Sequence, residues 1–152
     1  FNMAGWRLAF AGGNAEMIEA LNLIQDHLFV GIFPALQEAG IAALLDPKSE
    51  EAVAQLNATY DSRRDAFVQA AAKIGWQAFP SRGSFYAWMP VPEGYTSESF
   101  ADLLLEKVHV AVAPGKGFGP AGDAYVRIGL LVEPERLVEA VDRIANLHLF
   151  NN

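Results

Sequence analysis

Val112-Ala-Pro-Gly-Lys-Gly-Phe-Gly-Pro-Ala-Gly-Asp-Ala-Tyr-Val-Arg-Ile-Gly-Leu-Leu131 runs from a glycine-rich turn into an alternating segment, and the one charge in that segment decides how the chain is read. Val126, Ile128 and Leu130 fall on one side and Tyr125, Arg127, Gly129 and Leu131 on the other, the period of a strand. A guanidinium keeps its proton, so holding Arg127 among apolar neighbours is costly unless an anion meets it. That anion is either an Asp or Glu of this chain, with Arg127 lying at a sheet edge or in an ion pair, or a ligand carboxylate gripped by two parallel hydrogen bonds. Gly129, two residues on and on the same face, leaves room for a ligand. From this stretch alone both readings stay open.

The rest of the composition narrows the field. The chain has 152 residues, 52% of them hydrophobic and 19% charged, which describes a packed domain with a real core and excludes wholesale disorder. Eleven Lys and Arg against 18 Asp and Glu give a net charge of −7, which would repel a phosphate backbone, so nucleic acid is not an expected partner. No apolar run approaches the roughly 20 residues of a membrane span, so no membrane is expected either. The absence of cysteine removes disulfides and thiolate metal sites and favours a cytoplasmic location. The chain opens on Phe1 in an apolar segment, without Met or linker, which suggests a piece cut from a longer protein.

Taken in order, Trp6, Leu8 and Phe10 alternate with Arg7, Ala9 and Ala11 and predict a short buried strand ended by Gly12-Gly13. Asn14 caps a helix to about Leu28 with Met17, Leu21, Ile24 and Leu28 as its buried stripe. Pro34 suits the first turn of a second helix ending near Leu45. Ser49, Glu50 and Glu51 open a longer one carrying Val53, Leu56, Tyr60, Phe67 and Ala71 on one face, stopped by Gly75. Trp76–Phe79 and Ser84–Val91 predict a hairpin across Pro80-Ser81-Arg82-Gly83, with Phe85, Ala87 and Met89 facing away from Tyr86 and Trp88. Thr96 or Ser97 starts a helix with Phe100, Leu103 and Leu104 inward, His109–Ala113 reads as a strand, and Pro134 starts a last helix with Leu137, Val141 and Ile144 inward. The second half thus reads β-β-α-β-β-α, and the fold class is α/β.

Few motifs carry chemistry. Gly117-Phe-Gly-Pro-Ala-Gly122 matches GxGxxG by letter, but Pro120 interrupts it and a strand follows where a dinucleotide site needs a helix; the ordinary reading is a tight turn. His27, His109 and His148 have no ligand spacing, so no metal is expected. Glu16 with Glu19 and Glu133 with Glu135 read as solvated helix starts. What remains are two arginines in strand contexts, Arg7 and Arg127, each able to hold an anion. Neither a nucleophile nor an electron sink is visible beside them.

Phe1-Asn-Met-Ala-Gly-Trp-Arg7 closely resembles the segment that follows the cofactor lysine in class I/II aminotransferases, fold type I pyridoxal-phosphate enzymes. Gly83-Ser-Phe-Tyr86, Pro114-Gly-Lys-Gly-Phe-Gly119 and Tyr125-Val-Arg-Ile128 resemble further landmarks of that family, in its order. The resemblance implies a C-terminal portion of such an enzyme. Residues 1–48 would be the remnant of the large cofactor-binding domain, with one strand and helices, 49–74 a connecting helix, and 75–152 the small α+β domain. It implies that Arg7 binds the phosphate of pyridoxal phosphate, that Arg127 binds the substrate α-carboxylate, and that Tyr86, with Phe85, borders the substrate entrance. Gly115, Gly117 and Gly119 would shape the turn without touching ligand.

The same resemblance places the cofactor lysine before Phe1; Lys48, Lys73, Lys107 and Lys116 fall at none of its positions. No catalytic residue is therefore expected in this chain, and the chain alone is expected to be inactive and without cofactor. The parent is expected to be a homodimer moving an amino group between an α-amino acid and a 2-oxo acid, and the segment matching Phe29 to Pro34 would lie near its dimer interface. Members of that family acting on dicarboxylic acids often use a further arginine, donated by the neighbouring subunit from the region matching Leu28 to Ala35; no Arg occurs between Arg7 and Arg63, so the resemblance implies a neutral or apolar substrate side chain. Phe29-Val-Gly-Ile-Phe-Pro-Ala-Leu-Gln37 resembles the branch with diaminopimelate-type and methionine-salvage aminotransferases. The competing reading is a non-catalytic ferredoxin-like module that binds small ligands or dimerises.

Overall fold

The computed structural model describes residues 1–79, 81 and 83–150. They divide into two compact units, Phe1–Asn57 and Ala58–Asn152. Among the described residues every buried hydrophobic side chain belongs to the second unit.

The first unit is helical. Asn14 accepts a hydrogen bond from the Met17 amide at 3.2 Å and caps α1, Ala15–Ile24, as its residue type predicts. A π turn, Gln25–Phe29, carries the chain on to Val30 and Gly31, both at positive φ. Helix α2, Pro34–Leu45, opens with its proline in the first turn, where no amide is needed.

Two expectations fail in this unit. The segment around Trp6–Phe10 is not a strand: Ala4–Trp6 forms a 3-10 turn, and Phe10 is 89% exposed. A strand requires a neighbour for its amides and carbonyls, and no other strand occurs among the described residues of this unit. The expected apolar stripe is likewise exposed, Met17 in α1 by 69% and Leu28 in the π turn by 71%.

Helix α3, Ser49–Lys73, begins in the first unit and buries Phe67, Ala70 and Ala71 in the second. Gly75, at φ 82°, turns the chain out of it. The second unit then contains β1 (Tyr86–Pro90), α4 (Ser97–Val108), β2 (Ala113–Pro114), β3 (Tyr125–Gly129) and α5 (Pro134–Ala145). The three strands form an antiparallel sheet ordered β1-β3-β2, with Trp88 and Ala113 flanking Arg127 in register. Ala87, Met89, Val126 and Ile128 face a core completed by Phe67, Trp76, Phe100, Leu104, Leu137, Val141 and Ile144. Thr96 caps α4 through a reciprocal box with Ser99.

The expected β-β-α-β-β-α order becomes β-α-β-β-α among the described residues. Phe79 donates one backbone hydrogen bond to the Trp88 carbonyl at 3.0 Å, but Trp76–Phe79 forms no strand. The next pairing would fall at Pro90, which has no amide hydrogen and whose carbonyl accepts the Trp76 indole N–H at 2.8 Å. Pro80 and Arg82 of the expected hairpin turn lie outside the described residues. The strand expected over His109–Ala113 shrinks to Ala113–Pro114, because His109 adopts a left-handed conformation as the C-cap of α4 and Val110 donates back to the Leu104 carbonyl. No helix among the described residues is long and apolar enough to cross a membrane.

Candidate functional site

Alternation in β3 sends Val126 and Ile128 into the core and leaves Arg127 half-buried on the opposite face of the sheet. The strand is the middle one, so Arg127 does not lie at a sheet edge. Nor does it form an ion pair with any carboxylate among the described residues. Its guanidinium carbon sits 4.0 Å from the ring centroid of Tyr86 and 4.0 Å from that of Phe118. Two aromatic faces attract the cation without neutralising it, so its N–H donors stay available to an incoming anion.

Tyr86 pairs in register with Gly129, where a Cβ would lie 3.3 Å from Leu131 Cδ1 and 3.9 Å from Tyr86 Cε1, so the glycine gives the Leu131 and Tyr86 side chains their space. Phe85 lies beside it, with ring centroids 4.5 Å apart, and also meets Tyr60 at 5.8 Å. Arg127, Tyr86 and Phe85, singled out from the sequence, are thus neighbours within one unit.

Phe118 comes from the turn between β2 and β3, two 3-10 segments, Gly115–Phe118 and Pro120–Ala124. No helix follows the GxGxxG letters, and the glycines serve the backbone. A Cβ on Gly115 would lie 2.1 Å from the Gly122 carbonyl oxygen and 2.4 Å from that of Tyr125, while Gly119 holds φ 125°. Gly117 has open space where its side chain would be.

Side chains of α4 fasten the same turn. The fully buried Ser97 donates from its hydroxyl to Asp123 Oδ1 at 2.7 Å and from its amide to the same oxygen at 3.3 Å. The Lys116 amide donates to Ser97 Oγ at 3.3 Å, and Lys116 Nζ meets Glu98 at 2.8 Å. The Ser97 hydroxyl above all, with the Ser97 amide and the Lys116 charge assisting, holds the Asp123 carboxyl below its ordinary range against some desolvation. Past Phe118 the sheet face continues into an apolar cavity of about 310 Å³ lined by Phe79, Trp88, Phe118, Ala121, Gly122 and Tyr125.

Arg7 belongs to the other unit. It is exposed, adopts a left-handed conformation at φ 55°, and its Nη1 donates to the Ala4 carbonyl at 3.5 Å. The expected cation on a buried strand is therefore a cation on an exposed turn. Like Arg127 it meets no carboxylate among the described residues, so its donors fit a phosphate. Lys48 and Lys73 flank helix ends, Lys107 lies in the last turn of α4, and Lys116 is engaged by Glu98. Among the described residues no group of three His, Asp or Glu side chains is arranged to hold a metal ion.

Sequence reasoning did not single out Phe118 or the Ser97–Asp123 pair as parts of the site. Phe118 stood only as a letter of the Pro114–Gly119 landmark, and its position over Arg127 depends on a turn geometry that periodicity does not report. Ser97 stood only as an alternative helix start.

The sequence profile of aminotransferase class I and II matches residues 1–144. The chain is 59% identical over 150 residues to L-glutamine–4-(methylsulfanyl)-2-oxobutanoate aminotransferase of Bacillus subtilis, covering 99% of this chain and 37% of that protein. It is 45% identical over 144 residues to LL-diaminopimelate aminotransferase of Moorella thermoacetica, covering 95% of this chain and 36% of that protein. The apo structure of BacF from Bacillus subtilis superposes with a TM-score of 0.92 at 44% identity, over 100% of this chain and 39% of that one. The chain thus spans well under half the length of the relatives it matches. Matched by the family's profile from its first residue to residue 144, and by these relatives over at least 95% of its length, the chain belongs to the aminotransferase class I and II family.

Proposed function

We propose that this chain is the C-terminal portion of a pyridoxal-phosphate aminotransferase that moves an amino group between an α-amino acid and a 2-oxo acid, and that Arg127 receives the α-carboxylate of both. One observation carries this reading: a guanidinium on the middle strand of a sheet, flanked by two rings at 4.0 Å, with no carboxylate of the described chain against it. Its N–H groups can donate two parallel hydrogen bonds to the edge of a carboxylate, which fixes the orientation of the adjoining Cα. Tyr86 covers one side of that anion grip and shields it from water. Arg7, which meets no carboxylate among the described residues, holds the cofactor phosphate. Pyridoxal phosphate, when bound, supplies the electron sink for the charge left as the α-proton departs.

The substrate side chain is neutral or apolar in this reading. No Arg lies between Arg7 and Arg63 to meet a second carboxylate, and the relative at 59% identity is named for glutamine and a thioether oxo acid, neither carrying a charged side chain. The full-length enzyme works as a cytoplasmic homodimer, and this chain alone does not turn over.

The test is Arg127→Ala in the full-length enzyme. Loss of two charge-assisted hydrogen bonds should lower kcat/KM by about a hundredfold or more, with the cofactor absorbance unchanged. Unchanged kcat/KM would remove Arg127 from the site, and transamination by the 152-residue chain alone would refute its inactivity.

A further inference from the structure

Phe118 is 49% exposed and lies outside the buried core, yet its position is strongly constrained. Its turn is closed on one side by the Gly115–Gly122 approach, which admits no Cβ, and on the other by Ser97 and Asp123. Its ring meets Trp88 edge-on at 5.7 Å and faces the Arg127 guanidinium at 4.0 Å. A half-exposed phenyl contributes little to stability through burial, so so much fastening needs another explanation.

Arg127 supplies one. A long flexible side chain with no ion-pair partner would sample several rotamers, each presenting its fork in a different direction. Tyr86 and Phe118 each set a ring centroid 4.0 Å from the Arg127 guanidinium carbon, and two such contacts together restrict where the planar group can swing. A guanidinium carries its N–H bonds in its own plane, and a ring face does not take them up as a carboxylate does, so the donors are left to an anion. A carboxylate approaching those donors meets them without prior ordering of the arginine.

We infer that Phe118 is a positioning residue: together with Tyr86 it forms an aromatic slot that holds the Arg127 fork ready for a substrate carboxylate. The inference rests on the reading of Arg127 as the carboxylate site. Phe118 acts through Arg127 and touches none of the reacting atoms. Removing the ring restores rotamer freedom that binding must then remove, which weakens carboxylate binding by about three- to tenfold.

The experiment compares Phe118→Leu, Phe118→Tyr and Arg127→Ala in the full-length enzyme. It measures KM and kcat for amino acid and oxo acid, cofactor absorbance, and the dissociation constant of butanoate, a carboxylate without amino or oxo group. Phe118→Leu is expected to raise both KM values and the butanoate constant by that factor at unchanged kcat and absorbance. Phe118→Tyr, which keeps the ring, is expected to behave as the parent. Butanoate binding unaffected by Phe118→Leu but weakened by Arg127→Ala would overturn the slot and leave the carboxylate site standing. Butanoate binding unaffected by Arg127→Ala would overturn the site itself. A Phe118→Tyr variant as impaired as Phe118→Leu, or a fall in kcat without a rise in KM, would also count against the slot.

Discussion

The Ser97 hydroxyl donates to Asp123 Oδ1 across 2.7 Å and so ties the first turn of α4 to the turn that carries Phe118. The bond favours the ionised carboxylate and holds Asp123 below its ordinary value of 3.8. A depressed carboxyl pKa contributes stability that is fully present above the unfolded value and is lost as pH falls through the folded one. Thermal melts of the parent and Asp123→Asn should therefore differ most near neutrality and converge as the pH drops below 3.8. A gap that stays constant down to acid pH would show that the carboxylate charge contributes nothing.

Gly115→Ala tests the close approach within the same turn. Its Cβ would lie 2.1 and 2.4 Å from two backbone carbonyl oxygens and 2.8 Å from Trp88 Cζ3, and backbone cannot rotate aside as a side chain can. Overpacking of this kind costs about 3 kcal/mol, to be read from urea denaturation. Gly117→Ala points into open space and should stay within about 0.5 kcal/mol of the parent. Equal effects at the two glycines would contradict the geometry.

Trp76 both fills the core and closes the end of the sheet. It is 1% exposed, meets Phe67, Phe100 and Phe150, and donates its indole N–H to the Pro90 carbonyl. Trp76→Phe keeps most of the ring and strands that carbonyl, for a cost of about 1 to 3 kcal/mol. Trp76→Ala adds a cavity and should cost about 3 to 5 kcal/mol. Chemical denaturation followed by far-UV circular dichroism distinguishes the two. If Trp76→Phe were neutral, Pro90 would have found another partner.

What could be read from the residues depended on how local each signal was. Asn14, Pro34, Thr96 and Pro134 start helices through bonds or torsions within one turn of themselves, and all four stand where their types predict. Alternation pointed to a strand at Trp6 and the following turn residues to one at Trp76, but a strand also needs a neighbour's amides and carbonyls, and those are a property of the whole fold. At His109 a helix cap took the residue first. Arg127 was legible because a charge inside an alternating apolar run is anomalous in any fold. Its partner Phe118 was not, since contact between residues nine positions apart depends on where the intervening turn folds back. Arg7 carried the same anomaly, and the structure sets it on an exposed turn instead of a strand.

The apolar stripe of α1 and the π turn after it shows what patterning cannot supply on its own. Met17, Leu21, Ile24 and Leu28 recur at helical spacing, yet all four are exposed in their own unit. At roughly 25 cal/mol per Å² of apolar surface, such a stripe favours any contact that removes it from water. The 152-residue chain should therefore bind a hydrophobic dye such as anilinonaphthalene sulfonate and sediment faster as its concentration rises. Met17→Glu combined with Leu28→Glu should reduce both, while leaving the unfolding transition of the Phe67–Ile144 core in place, because neither residue belongs to that core. Dye binding and sedimentation identical in parent and variant would mean that the stripe is covered in solution, and that the exposure of α1 is not what drives association.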